Sequence, residues 1–335
     1  MKKIFIAIVA LAAATACSNS EIVSVNREAI GFDNAFVNNS TRSVVDPSYT
    51  NDNLFTDFAV YGFVTGEATA SIFDGTQVSG PAWTYTGTQY WVDGAEYDFH
   101  AVAPLTSGNW TDAVATTETL SLSFTNDGET DLLYAINDYG VYNYNENVAV
   151  GKVEFNFRHA LAKVKFSFLN NYNATNSYLR VSNIKIENAY LTATAELNKE
   201  ATVWDTHDGT LELSFGNANT TSTSADAVKF AKDAEVESHN ELLLIPGAVP
   251  SFVKDNNSVN GYKVTFTVEV LVGDTVIKTY NHIAAADFAP VAGYSYDIKA
   301  TLSHTNLDPE QAQEPIEFTV TNIGGWNTPD ENPTM

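Results

Sequence analysis

Residues 153–169, VEFNFRHALAKVKFSFL, switch the parity of their apolar side chains partway along. Val153, Phe155 and Phe157 alternate with Glu154, Asn156 and Arg158, the two-residue period of a half-buried strand. Beyond Arg158-His159 the apolar set moves to even positions, Ala160, Ala162, Val164, Phe166 and Phe168, against Lys163, Lys165 and Ser167. A one-residue slip sends every side chain to the opposite face, so one regular strand is excluded. The pattern demands a bulge or a corner at Arg158-His159, where the chain leaves one sheet for another. The break falls near the middle of 335 residues, enough chain for two cores, so a domain boundary is expected close by.

The same two-residue grammar runs through the rest of the chain, and no long window shows helical spacing. Aromatic residues make up 12% of the sequence, and frequent Thr, Asn and Val add to the case for β-structure. Strands are predicted at 57–64, at 83–85 and 90–92 around the turn TGT, at 97–103, and at Leu120, Leu122 and Phe124. After the central stretch, Ile184 and Ile186 sit on one parity, and Ala189, Leu191, Ala193, Ala195 and Leu197 take the other. A second bulge is therefore expected near Glu187-Asn188. ELLLIPG, residues 241–247, reads as a short strand buried on both faces. Tyr262, Val264, Phe266, Val268, Val270 and Val272 are placed on one face of the clearest alternating strand, followed by a hairpin at Gly273-Asp274. Another strand carries Tyr294, Tyr296, Ile298, Ala300 and Leu302, and a last one Ile316, Phe318 and Val320. The expectation is an all-β protein with two β-sandwich domains in tandem, spanning 51–150 and 151–335.

The N-terminus carries a targeting segment. Met1-Lys2-Lys3 is a basic head, residues 4–14 are apolar, and Ala14-Thr15-Ala16 precedes Cys17, the one cysteine of the sequence. The ending resembles a bacterial lipobox, so residues 1–17 are expected to be a lipoprotein signal with Cys17 as the acylated residue. Each buried acyl methylene contributes about 0.8 kcal/mol, so several chains on one cysteine hold a protein firmly to a membrane. An intramolecular disulfide is excluded. Residues 18–50 are polar and Asn-rich apart from AIGFDNAFV, residues 29–37, a candidate edge strand; the stretch after it, holding Arg42, reads as exposed.

Charge and motifs remove several function classes. With 41 acidic against 17 basic residues the formal charge is −24, which argues against nucleic acid as a partner. No nucleophile elbow, phosphate loop, HExxH or paired-cysteine motif is present, and neither a cofactor nor a catalytic role is expected. His159, at the parity break, reads as a structural imidazole bonding a backbone carbonyl. Asp127, Glu129 and Asp131 offer oxygen to Ca²⁺, but such a run more commonly forms a solvated turn, so no metal is assigned. Trp83, Trp91, Trp110, Trp204 and Trp326 support a rival reading, a surface lipoprotein that stacks glycans on exposed indoles. A glycoside hydrolase ranks third, because no carboxylate pair stands out.

Several pieces in order resemble the fimbrillin family, the subunits of type V pili of Gram-negative envelopes. They are the lipobox-like Cys17, an arginine in an exposed Asn/Thr/Ser stretch, YWVDGAEYDFHAVAP, DLLYAI, FNFRHALAKVKFSF, ELLLIPG and a late strand ending in Trp326. The resemblance covers nearly the whole chain. It implies two transthyretin-like β-sandwiches, export as an outer-membrane lipoprotein precursor, and a mature form in surface fimbriae that contributes to adhesion. It further implies that an arginine-specific protease removes the N-terminal segment and that other fimbrillin subunits fill the groove by β-augmentation. Carried onto this sequence, AIGFDNAFV is the strand removed, Arg42 the cleavage site, and Ile316, Phe318 and Val320 the donor side chains. The tail after Trp326 holds little to bury, so the last strand either donates or completes its own domain; a shaft or tip subunit is favoured over an anchor. The host ligand is not specified.

Cys17→Ala is expected to move the full-length protein from the membrane to the soluble fraction of the envelope. Unchanged membrane retention on fractionation would contradict lipidation as the anchor.

Overall fold

The computed structural model describes residues 28–37, 55–65, 68–105, 107–143, 152–174, 176–220, 225–308 and 314–325. Among these residues every regular element is a β-strand, as the two-residue periodicity requires. In chain order they begin with β1 Phe32–Val37, β2 Asp57–Thr65, β3 Ala70–Ser79, β4 Glu96–Ala103, β5 Trp110–Ala115, β6 Thr119–Thr125 and β7 Leu133–Val141. The central strands are β8 Val153–His159, β9 Ala162–Asn171, β10 Ser177–Asn198, β11 Thr202–Gly216, β12 Ala218–Asn219, β13 Glu235–Ser238 and β14 Leu242–Leu244. The last six are β15 Ser251–Lys254, β16 Asn257–Asn260, β17 Tyr262–Val272, β18 Thr275–Ala286, β19 Tyr294–Ser303 and β20 Phe318–Gly325.

Three six-stranded sheets and a two-stranded β15-β16 sheet result. The first has the order β1-β8-β7-β4-β2-β3 and the third β12-β13-β9-β19-β20, with β14 also on β9. The second runs β18-β17-β10-β6-β5, while β11 lines the opposite edge of β10. Strand β10 is long enough to serve both halves of the chain: residues 177–186 pair with β17 and residues 192–198 pair with β6. The expected bulge is there, as a register shift between Ile186 and Ala189. Asn188 supports it, accepting from Lys263 N at 2.6 Å and donating to Gly261 O at 3.2 Å.

The parity flip at 153–169 is a corner. Val153, Phe155 and Phe157 of β8 face an aromatic core within the first sheet. Ala160 and Leu161 enter a bridging core between the first and second sheets, and Val164, Phe166 and Phe168 of β9 enter the C-terminal core between the second and third. The indole of Trp204 donates to Ala160 O at 2.9 Å and holds the turn. ELLLIPG is buried on both faces as expected, with Leu242 and Leu244 in the C-terminal core and Leu243 in the bridging core.

The first sheet takes in β8, beyond residue 150. Two expectations are revised. Residues 83–85 and 90–92 form isolated bridges instead of strands, since Tyr85 and Trp91 are committed to side-chain packing and hydrogen bonding off the ladder. In β17 a register shift after Val270 turns Leu271 inward, 2% exposed, and Val272 outward, 46% exposed. His159 Nδ1 bonds the carboxylate of Asp131, tying the end of β8 to the loop between β6 and β7.

His282 on β18 is buried against Phe266, with ring centroids 5.2 Å apart, and its Nε2 has no hydrogen-bond partner. Burial, with the Lys254 charge adding to it, lowers its pKa from the usual 6.5 to about 4. Burial lowers that of His100 on β4 as well. The unfolded chain therefore takes up these protons near pH 6.5 while the folded chain refuses them, so stability falls as pH drops from about 6.5 towards 4. The urea midpoint is expected to fall from about pH 7 to about pH 5, above the carboxylate range. His282→Gln is expected to flatten that slope; an unaltered slope would contradict the burial of a neutral imidazole.

Candidate functional site

At the N-terminal strand, which the sequence marks as an edge strand, the structure places two deeply buried side chains. Ile30 and Phe32, two residues apart, are each 1% exposed and lie in the aromatic core. Phe32 sits at the centre of a ring cluster. Its centroid lies 5.4 Å from Phe73, 5.6 Å from Tyr85, 5.9 Å from Phe155, 6.2 Å from Phe58 and 6.3 Å from Phe99. Phe73 belongs to β3 and Phe155 to β8, next to β1, so the first sheet curls until its two edges meet through Phe32. Among the described residues no second sheet covers this face. Aromatic side chains, which bury 150–250 Å² each, have the reach to fill such a curl.

The backbone of the segment is held on two sides. From Phe32 to Val37 it runs parallel to β8, with Phe32 opposite Val153 and Val37 opposite Phe157, and Val153 N donates to Gly31 O at 2.8 Å. Residues 28–30 instead lie along 89–91: Ile30 N donates to Gln89 O at 2.8 Å and Trp91 N to Glu28 O at 3.0 Å. The Tyr85 hydroxyl donates to Ile30 O at 2.8 Å. Outside, Lys152 pairs with Asp33 at 3.2 Å, an exposed contact of small energetic weight. Trp91 packs beneath the bridge, stacked on Tyr139 at 4.7 Å and Tyr142 at 5.3 Å. Burial, with the Glu28 carboxylate nearby, lifts the Tyr139 phenol above its ordinary pKa.

Strand β8 depends on this segment. Its partner on the other side, β7, pairs with it only at Leu133–His159 and Tyr134–Arg158. Beyond those two pairs the strands part around a cleft of ≈ 250 Å³ lined by Asn137, Glu154, Asn156 and Arg158, among others. Removing residues 28–37 therefore empties two apolar slots with strand spacing and leaves residues 153–157 without their ladder partner. Two side chains of this kind contribute about 3–6 kcal/mol on burial, against a whole-domain stability of about 5–15 kcal/mol. An open first sheet thus stands to gain a large share of its stability from any strand that refills the slots.

The proposed donor residues have a different setting. β20 pairs antiparallel with β19, from Tyr294–Gly325 to Ala300–Phe318, so in a single copy it completes the third sheet. Ile316, Phe318 and Val320 pack on the C-terminal core but stay half-buried, and the Phe318 ring lies 5.7 Å from Phe166 and 6.1 Å from Phe266. Cys17 and Arg42 lie outside the described residues. The roles of Tyr85 and Gln89 in seating residues 28–30 went unseen in the sequence, because a bridge made by one carbonyl and one hydroxyl leaves no periodicity.

The other candidate chemistry finds little support. Asp127 Oδ1 accepts from Glu129 N at 2.9 Å and Thr130 N at 2.7 Å, and its Oδ2 accepts from Thr130 Oγ1 at 2.6 Å and Asn109 Nδ2 at 3.0 Å. Asp131 faces His159. Among the described residues no group of three or more His, Cys, Asp and Glu is placed to hold a metal ion. Trp91 and Trp204 are buried and Trp83 packs on Phe55 and Phe58, so these three form no exposed sugar platform.

A family model described as fimbrillin-like matches residues 41–326. Among solved structures, a candidate cell adhesion protein from Bacteroides uniformis is similar over 90% of this chain and 99% of its own, at 17% identity and a TM-score of 0.46. A candidate cell adhesion protein from Bacteroides ovatus is similar over 90% and 98%, at 15% identity and a TM-score of 0.44. The fimbrial anchor protein Mfa2 from Porphyromonas gingivalis is similar over 89% and 99%, at 13% identity and a TM-score of 0.37. No curated protein sequence matches the chain.

Phe32→Ala in the uncleaved protein is expected to cost about 3–5 kcal/mol, because it opens a cavity among five rings. Urea unfolding followed by tryptophan fluorescence measures this. A loss below about 1 kcal/mol would show that the strand does not carry the aromatic core.

Proposed function

Because this chain belongs to the fimbrillin-like family, we propose that it is a structural subunit of a cell-surface fimbria that assembles by exchange of strands between copies. In this account the precursor reaches the outer membrane as a lipoprotein through Cys17. An arginine-specific protease cuts after Arg42, residues 28–37 leave the first sheet, and a strand from another subunit takes their place. The assembled fibre then serves adhesion, and the protein has no catalytic step.

The observation that carries this reading is the burial of Ile30 and Phe32 on a segment N-terminal to Arg42. A strand whose side chains fill a core, yet whose connection to the body passes through an arginine in a polar stretch, is removable by one cut. What remains is an unpaired edge beside an apolar slot, a template for another chain. Ile316, Phe318 and Val320 have the matching alternation and are less deeply buried than the strand they would replace, which supports them as donors. Their departure uncovers part of the Phe166 and Phe266 rings, so donation is favoured only where it wins deeper burial in a neighbour. Cleavage leaves 13 basic and 38 acidic residues, a formal charge of −25. Repulsion between such bodies is screened within about 8 Å at physiological salt and does not outweigh insertion of an apolar strand.

Arg42→Ala is expected to give a folded monomer that an arginine-specific protease does not convert into polymer, whereas the natural sequence forms concentration-dependent polymers after the cut. Normal assembly of the variant, followed by size-exclusion chromatography, would place the activating cut elsewhere.

A further inference from the structure

Basic residues are distributed unevenly along the chain. From Ser43 to Gly151 there is no lysine or arginine in 109 residues, although fifteen acidic residues fall there. All 13 basic residues of the body beyond residue 42 lie at or after Lys152, and 11 of them are lysines. The two arginines are Arg158 and Arg180.

The parts of the fold that lose a partner when residues 28–37 depart can be named from the contacts above. They are Tyr85, Gln89 and Trp91, the rings of Phe58, Phe73 and Phe99, and the first five residues of β8. All except β8 fall in the stretch without basic residues. A protease needs its substrate as a locally opened, extended chain, so segments released from pairing become its targets.

Both body arginines lie where pairing does not rest on residues 28–37. Arg158 is opposite Tyr134, within the two-residue clamp between β7 and β8, and its Nη1 donates to Lys199 O at 2.8 Å. The next residue, His159, is bonded to Asp131. Arg180 lies within β10, opposite Glu269 of β17, and its Nη2 meets the Glu269 carboxylate at 2.5 Å. Lys152 is the contrary case. Its ammonium reaches Asp33 of the departing strand, and the ladder beside it, from Val153 onward, is the one that β1 supplies.

We infer that the body of this protein is built to withstand an arginine-cutting protease while its first sheet stands open. The same opening exposes Lys152 to a lysine-cutting one. This rests on the strand-removal reading, but extends it to what happens between removal and refilling. An activating enzyme of arginine specificity would then act on the N-terminal segment and spare the subunit it has just opened. The selectivity follows from which residues were kept out of the opened region and which two arginines were clamped.

The test uses the full chain with a cleavage site for an unrelated sequence-specific protease inserted between residues 43 and 50, so that opening does not require a cut at Arg42. After that cut the N-terminal piece is released in dilute urea, and the intact and opened forms are each treated with an arginine-specific or a lysine-specific protease and analysed by mass spectrometry. Within the body, the expected result is no cut by the arginine-specific enzyme in either form. Cleavage after Lys152 should be faster in the opened form by about tenfold or more. Gln89→Arg, with Thr88→Arg as a second variant, should be cut at the new arginine chiefly after opening. Cleavage after Arg158 or Arg180 in the opened form, equal rates at Lys152 in both forms, or engineered arginines that stay uncut after opening would each overturn the inference. A natural chain that resists cutting at Arg42 would count against the proposed maturation and leave this result standing.

Discussion

Among the described residues one face of the first sheet has no other sheet to pack against, and much of the molecule follows from how that face is kept from water. A sheet with apolar side chains on both faces needs two covers. The bridging core supplies one, where Ala59, Tyr61 and Phe63 of β2 meet Leu120, Leu122 and Phe124 of β6. On the opposite face the sheet supplies its own cover by curling, so that β3 at one edge and β1 at the other bring Phe73 and Phe32 into contact. The closing piece is held by four ladder pairs on β8 and a bridge to residues 89–91, and the sequence that follows it is polar. Its side chains are among the most buried in the protein while its backbone is at an edge. That combination makes a strand both necessary and replaceable.

The rest of the fold is joined more firmly. β10 belongs to both halves, pairing with β17 and β6 along one edge and with β11 along the other, and its bulge at residues 187–188 lies between the stretch paired with β17 and the stretch paired with β6. The corner at 160–161 is locked by Trp204, and Leu242, Leu243 and Leu244 divide their side chains between two cores. Loss of the first strand therefore strikes one core of three.

Much of this was legible in the sequence because burial writes itself as alternation. The flip at Arg158-His159 marked the corner, the shift after Ile186 marked the bulge, and the continuous run at Leu242–Leu244 marked a strand covered on both faces. Alternation fails where side chains are used off the ladder, and so residues 83–85 and 90–92 looked like strands although Tyr85 and Trp91 serve as a hydrogen-bond donor and a packing plate. It also fails at a bulge inside a strand of uniform composition, which is why Val272 was placed on the wrong face. Of the candidate site, the apolar patch at 29–37 was visible as an edge strand. Its parallel pairing with β8 and its place among the rings of β2, β3 and β4 were not, since neither partner adjoins it in sequence. The carboxylate partner of His159 was hidden for the same reason, since the two lie 28 positions apart.

Under the strand exchange proposed for this fimbrillin-like chain, the first sheet is closed twice, first by its own strand and later by another subunit's. Amide hydrogen exchange at residues 153–157 and 89–91, followed in the intact precursor, in the cleaved subunit freed of its N-terminal segment and in the assembled fibre, tests that view most directly. The account predicts protection in the precursor, fast exchange in the opened subunit and restored protection in the fibre. Exchange at these residues that stays slow after the segment is gone, or stays fast in the fibre, would contradict it.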